Sequence, residues 1–355
     1  MKNTVTFLAT LFLAPVAAIA QQPDQGLPPF VEARWIGFCD PSVDHVDSRF
    51  AFRKKLELAS QPTSGRVRVT ADARYMLWVN GRFVGRGPAR GVPWAQPFDD
   101  YDLAPFLRPG TNWIAAEIYQ FGPGGSRSKG NGVYAGTGRT GLLIEGELIS
   151  PDGKAIPIRT DATWQARRAD WSRPNAVPYL YGAFAYQECV DGSREPADWR
   201  ISEAGDGWQS ATDVAAPGEA PWTGFEPRGL KPMRESLTAS LPLVAAFTGT
   251  HSATFADDKA LANLWKEEAL EPATVLPVSD AEGWLTLTPP ASGLIAVTFD
   301  LGSNAASFPR LEIRNSRGGE VLDSGYGDEG DAPSPCQRGP RLLRTRHLRT
   351  TLSLI

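Results

Sequence analysis

Two carboxylates held across a cleft can act as general acid and general base, so acidic pairs are the first residues to weigh. Glu145 and Glu147 stand two apart in an alternating segment and would share one face of a strand. A solvated strand face is the simpler reading of them. Glu267 and Glu268 are neighbours in a helix-like stretch, and adjacent helical positions do not face each other. Asp328 and Glu329 border an unusual C-terminal segment. None of these forms a convincing pair, and no catalytic residue is assigned. Gly136–Gly141 (GTGRTG) fits G-x-G-x-x-G, but that pattern binds a dinucleotide only after a strand and before a helix. A Gly-rich loop precedes it here and a strand-like run follows, so a strand-to-strand loop is expected, with no cofactor. The sequence holds no G-x-S-x-G, no H-E-x-x-H and no G-K-[ST]. His45, His251 and His347 are scattered, which leaves each without partners for a metal or catalytic role.

The remaining chemistry is sugar binding. An aromatic ring can stack on the C–H face of a sugar while nearby polar side chains bond its hydroxyls. Trp94 lies with Arg90, Gln96, Asp99 and Asp100, and Tyr119, Gln120, Asn131 and Tyr134 flank a Gly-rich loop. Trp94, Asp99, Asp100, Tyr119, Asn131 and Tyr134 are therefore the candidate sugar contacts. The competing reading is that Trp94 and Tyr119 are packing residues, since most large aromatics are buried for that purpose. The sequence has no dense Asp/Asn loop of the kind calcium favours, so calcium stays an open and unsupported option.

The elements that must position these residues read as strands. The chain has 355 residues with 35 Gly, 30 Pro and 11 Trp, and so many turn formers disfavour long helices. Segments 49–59, 66–70 and 75–79 alternate apolar and polar residues. Asn80-Gly81 then leads into 82–84, a strong hairpin signal because both residues tolerate the positive φ of a type I′ turn. Further strands are expected over 113–119, 142–149, 161–167, 283–288, 294–300, 310–313 and 320–322. A helix is expected over 257–270, where Asp257 stands at the N-cap and Leu261, Leu264 and Trp265 share a face. The fold class expected is all-β: tandem antiparallel β-sandwich, jelly-roll-like domains with a short connecting helix.

The ends differ from the body. Lys2, the apolar run Val5 to Ile19 and Ala18-Ile19-Ala20 read as a signal peptide over residues 1–20, too short to span a bilayer. Export to the periplasm or beyond is expected, with no membrane span. In that compartment Cys39 and Cys189 could join as a disulfide or stay apart, because nothing fixes their separation. The formal charge of −4 gives no footprint for nucleic acid. Residues 331–355 hold five Arg and one Asp, with no clear alternation. They read either as a basic tail for an anionic polymer or membrane, or as the product of a frameshift or truncation, and the composition favours the second. The expected organisation is 30–215 as a first sandwich, 216–255 as a linker leading into a second β domain, 256–330 as an incomplete second domain with a short helix, and 331–355 as the anomalous tail.

Asn80-Gly81, Val84-Gly85, Tyr101-Asp102-Leu103 and Leu107-x-x-Gly110-x-Asn112 follow one another in that order within residues 78–122. With them, this stretch resembles the N-terminal β-sandwich of bacterial α-L-rhamnosidases. Arg34-Trp35-Ile36, Gln187-Glu188, Glu195-Pro196, Asp198-Trp199, Pro227-Arg228, Pro232-Met233-Arg234-Glu235, Phe299-Asp300-Leu301-Gly302 and Tyr326-Gly327-Asp328-Glu329 extend it along the chain. The family hydrolyses terminal α-L-rhamnose from glycosides with inversion, using carboxylates on a helical barrel that follows such β domains. This chain ends before such a barrel. The resemblance thus implies the non-catalytic N-terminal part of an exported glycoside hydrolase whose partners are rhamnose-containing plant or bacterial glycans. The alternatives are a stand-alone glycan-binding module and a structural or interaction protein.

Overall fold

The computed structural model describes residues 29–38, 40, 45–122, 137–174, 188–231, 243–250, 270–273, 280, 284–287, 293–299, 311–314, 321–324, 342–346 and 350–354. The first unit is built from β1 (Trp35–Gly37), β2 (Ser48–Leu58), β3 (Ser64–Asp72), β4 (Arg74–Val79), β5 (Arg82–Gly87), β6 (Gln96–Asp102), β7 (Gly110–Gln120), β8 (Gly141–Ile149), β9 (Ala155–Arg159), β10 (Gln165–Arg168), β11 (Gln209–Ser210), β12 (Thr212–Ala215) and β13 (Phe225–Pro227). One sheet runs β12-β1-β8-β3-β6-β13 with β9 beside β8; the other runs β11-β10-β2-β7-β4-β5. All pairings in this unit are antiparallel except β13 on β6. The Asn80-Gly81 hairpin forms as expected, with φ of 50° and 74° and Val79 opposite Arg82.

Alternation decides what each face meets. On β2, Phe50 and Phe52 turn inward, while Arg49, Ala51 and Arg53 turn outward. Leu77, Ile114 and Ile118 join them from one sheet, and Val67, Val69, Leu142, Ile144 and Leu148 face them from the other. Each such side chain contributes roughly 1.5–3 kcal/mol by leaving water.

The outer faces are covered too. Trp35 stacks on Trp222 at 4.1 Å, and with Phe30 and Phe225 they cover the β1–β8–β6 face. On the other sheet, Ala51 and Ala115 are small enough to seat Trp171 and Trp199, which pack there with Trp78 and Trp208. The first unit therefore reaches past the expected boundary at 215. Trp222 is fully buried and β13 pairs with β6, inside the stretch expected as a linker.

A second unit holds β14 (Leu243–Thr250), β15 (Leu270–Pro272), β16 (Leu285–Leu287), β17 (Gly293–Phe299), β18 (Leu311–Arg314), β19 (Val321–Ser324), β20 (Leu342–Arg346) and β21 (Thr350–Leu354). They form a β15-β14-β17-β20-β19 sheet and a β16-β21-β18 sheet. Ala246, Ile295 and Val297 of the first pack with Leu285 and Leu287 of the second. Two strands, β20 and β21, come from the Arg-rich segment, where the sequence showed no clear alternation. Of the expected helix, residues 257–269 lie outside the described residues and Leu270 begins β15. Among the described residues the only helical element is the 3-10 turn Ala104–Phe106.

At the end of β3, Asp72 ties both sheets and a cover together. Its side chain is about 1% exposed. Oδ1 accepts from Gln120 Nε2 on β7 at 3.1 Å. Oδ2 accepts from Thr137 Oγ1 at 2.7 Å, Thr137 N at 3.2 Å and Trp222 Nε1 at 3.0 Å. Burial raises its pKa above the usual 3.8, and these donors oppose that shift without cancelling it. The folded protein therefore holds this proton to higher pH than the unfolded chain does. The residue's contribution to stability falls as pH rises from the ordinary value through the raised one. Asp72→Ala would strand the donors inside the fold and should cost at least about 3 kcal/mol near neutral pH, read by denaturant unfolding. It should also flatten the fall in stability just above pH 3.8. A loss under about 0.5 kcal/mol would show that Asp72 ties nothing.

Candidate functional site

The β5–β6 connection presents Trp94. Ala95 N bonds Val92 O at 2.9 Å, closing a four-residue turn with Pro93 and Trp94 at its centre. Pro93 presets the turn, and Gln96 N on Gly224 O (2.9 Å) anchors its far end to the residues before β13. The Trp94 side chain is left 65% exposed. It is thus not a core residue, and its ring stands free to stack.

Asp99 has a different setting. It lies on β6 facing the sandwich interior, 6% exposed, with one oxygen on the Tyr75 hydroxyl and the other on the Arg228 guanidinium. Tyr75 and Tyr101 share a hydroxyl contact of 3.0 Å, and Arg228 Nη2 also donates to Arg86 O at 2.9 Å. Burial raises the Asp99 pKa, opposed by Tyr75 and Arg228. Its neighbour Asp100 points outward beside Arg68, at 3.7 Å. Gln96 is buried, its amide donating to Thr70 Oγ1 and Ala71 O. Residues expected together in one loop are therefore parted by strand alternation to the two faces of β6.

Tyr119 is on β7, on the outer face of the other sheet, with its hydroxyl on Asp47 at 2.8 Å. Burial, then Asp47, raises the phenol pKa. Arg49 lies 4.8 Å from the centre of the ring and pairs with Glu117 and Glu188. Asn131, Tyr134 and Cys39 lie outside the described residues, and Cys189 is buried. Thr137–Thr140 of the Gly-rich motif leads into a strand, β8. His45 Nδ1 lies 2.9 Å from Thr140 Oγ1.

Glu145 accepts backbone N–H bonds from Val31, Glu32 and Ala33, between 2.7 and 3.1 Å. It holds the N-terminal cover in place. Among the described residues no group of three His, Cys, Asp or Glu is gathered to hold a metal ion. Among them, too, no helix is long and apolar enough to cross a membrane.

A cleft not read from the sequence opens beside β2 and β10. It holds about 270 Å³ and is lined by Arg53, Lys54, Lys55, Trp113, Thr163, Gln165 and Glu203. The Arg53-Lys54-Lys55 run was its available signal, but only the fold brings Trp113 and Glu203 to it.

The two packed sheets define a β-sandwich module with an exposed tryptophan on the turn before β6. Residues 60–223 match the family described as the α-L-rhamnosidase N-terminal domain. The chain is similar to the crystal structure of a GH78 family rhamnosidase of Bacillus sp. GL1, with 30% identity, a TM-score of 0.53, and coverage of 62% of this chain and 22% of that one. The native α-L-rhamnosidase from Aspergillus terreus shares the fold at 15% identity and a TM-score of 0.52, covering 91% of this chain and 36% of that one. The chain thus spans between about a fifth and about a third of the length of these relatives. No curated protein matches it.

The Asp99 cluster leaves no room for a side chain on β5. A Cβ at Gly87 would overlap Asp99 Oδ2 and come within 2.8 Å of Arg228 Nη2 and Tyr75 Oη. Gly87→Ala should cost about 1–3 kcal/mol in denaturant unfolding. Gly192→Ala, with open space around it, should change stability by no more than about 0.5 kcal/mol. Equal effects of the two would contradict the packed cluster.

Proposed function

We propose that this chain is the non-catalytic N-terminal part of an exported α-L-rhamnosidase-like glycoside hydrolase, and that its first sandwich contacts rhamnose-bearing glycans through Trp94. The match of residues 60–223 to the α-L-rhamnosidase N-terminal domain family carries this reading. Trp94 supports the contact, since an exposed indole on a rigid turn can cover the apolar face of a sugar. The charged N-terminus, apolar run and Ala18-Ile19-Ala20 support export.

The carboxylates support a role other than catalysis. Inverting hydrolysis needs two carboxyl groups about 6.5–9.5 Å apart with a water between them. Asp72, Asp99, Glu117 and Glu145 are instead engaged by interior donors, cations or backbone amides. The cleft beside β2 has a single carboxylate, Glu203.

Tryptophan fluorescence during titration with L-rhamnose tests the contact. The expected result is a saturable shift in the wild type at about millimolar sugar, weakened at least about tenfold by Trp94→Ala. Unfolding of that variant should stay within about 0.5 kcal/mol of the wild type. Unchanged affinity in Trp94→Ala, or no wild-type shift at tens of millimolar rhamnose, would contradict the proposal.

A further inference from the structure

The cleft beside β2 has a charge and donor set that the rhamnose reading does not use. Three cations, Arg53, Lys54 and Lys55, line it against the single carboxylate of Glu203, in a chain of net charge −4. Arg53 is 2% exposed and held rigidly. Its Nε donates to Gln165 Oε1 at 2.7 Å, Nη1 to Ser202 O and Ala204 O at 2.9 Å each, and Nη2 to Glu203 O at 3.2 Å. Its guanidinium also sits 3.8 Å from the Trp208 ring centre and 5.4 Å from that of Trp113. A guanidinium has five N–H donors, so one is left without a partner among the described residues.

Burial, with Arg167 nearby, lowers the Arg53 pKa to about 10, so the group remains charged at neutral pH in a poorly hydrated place. An incoming anion would compensate that charge. The lysines are poised rather than fixed. Lys54 Nζ meets Thr163 Oγ1, while Lys55 reaches Glu203 at 3.4 Å and Glu57 at 3.6 Å across exposed, weakly held pairs. The Gln165 side-chain NH2 also has no partner among the described residues. Trp113 adds an aromatic surface. The volume of about 270 Å³ lies just below the roughly 300–1,000 Å³ of drug-sized ligand pockets, which suits one sugar residue.

We propose that this cleft binds an acidic saccharide unit, bearing a carboxylate or a sulfate ester, at a site separate from the Trp94 turn. The anion would meet Arg53, Lys54 and Lys55, while Thr163, Gln165 and Trp113 would meet the ring and its hydroxyls. The site does not rest on rhamnose binding and can stand if that fails.

Calorimetric titration of the full chain with D-glucuronate, D-glucose 6-sulfate, D-glucose and inorganic sulfate tests it. Glucuronate, the sulfated sugar or both should bind at about millimolar Kd, with glucose at least about tenfold weaker. Whichever acid binds better identifies the anionic group. Affinity should fall severalfold between about 20 and 200 mM salt. A Lys54→Gln/Lys55→Gln double variant should lose at least about tenfold in affinity while keeping the wild-type rhamnose response. Equal binding of glucose and glucuronate, undiminished binding in the double variant, or no heat from any sugar would overturn the proposal. Inorganic sulfate binding as tightly as the sugar acids would overturn its saccharide part.

Discussion

The structure depends on a buried carboxylate. Asp72 ends β3 in one sheet, binds Gln120 of β7 in the other, and holds Thr137 and Trp222 from connecting segments. Hydrophobic contact brings two sheets together but is not directional. Hydrogen bonds to a buried anion are directional and costly to leave unmade, so they set how sheets and cover meet. Trp222, fixed in this way, stacks on Trp35 and closes one outer face. Gly141 belongs to the same arrangement, because a Cβ there would meet Trp35 at 2.8 Å and Trp222 at 3.0 Å.

Covering both faces has a functional consequence. Acidic and aromatic residues are drawn into holding the covers. Asp99 binds Tyr75 and Arg228, Glu145 caps the backbone of 31–33, and Trp171, Trp199 and Trp208 roof the second sheet. Among the described residues, the Trp94 turn and the cationic cleft stay at the surface, one neutral and aromatic, the other charged. Neither offers a pair of carboxylates.

Much of the fold was legible in the sequence, and the reasons are physical. The apolar–polar alternation of β2, β3 and β4 was readable because alternate residues meet the core, and Asn80-Gly81 marks its turn by the conformations those residues allow. β6 was not legible. Its sequence, QPFDDYD, reads as a polar loop, yet Gln96 and Asp99 are buried against partners distant in sequence. β13 was missed for a related reason, since its Pro- and Gly-rich surroundings conceal a pairing with β6. The same tertiary pairing divides the candidate site. Trp94 was identifiable from residue type and loop position, whereas the roles of Asp99 and Tyr119 depended on Arg228 and Asp47. The cleft could not be read because β2, β7, β10 and residue 203 meet only in the fold.

We propose that this chain engages saccharides without cleaving them. Prolonged incubation of the purified chain with an aryl α-L-rhamnoside, following release of the aryl alcohol, tests it most directly. The account predicts no release above the spontaneous rate at any substrate concentration. Saturable release that scales with protein concentration would contradict it and would locate a general acid and base within this chain.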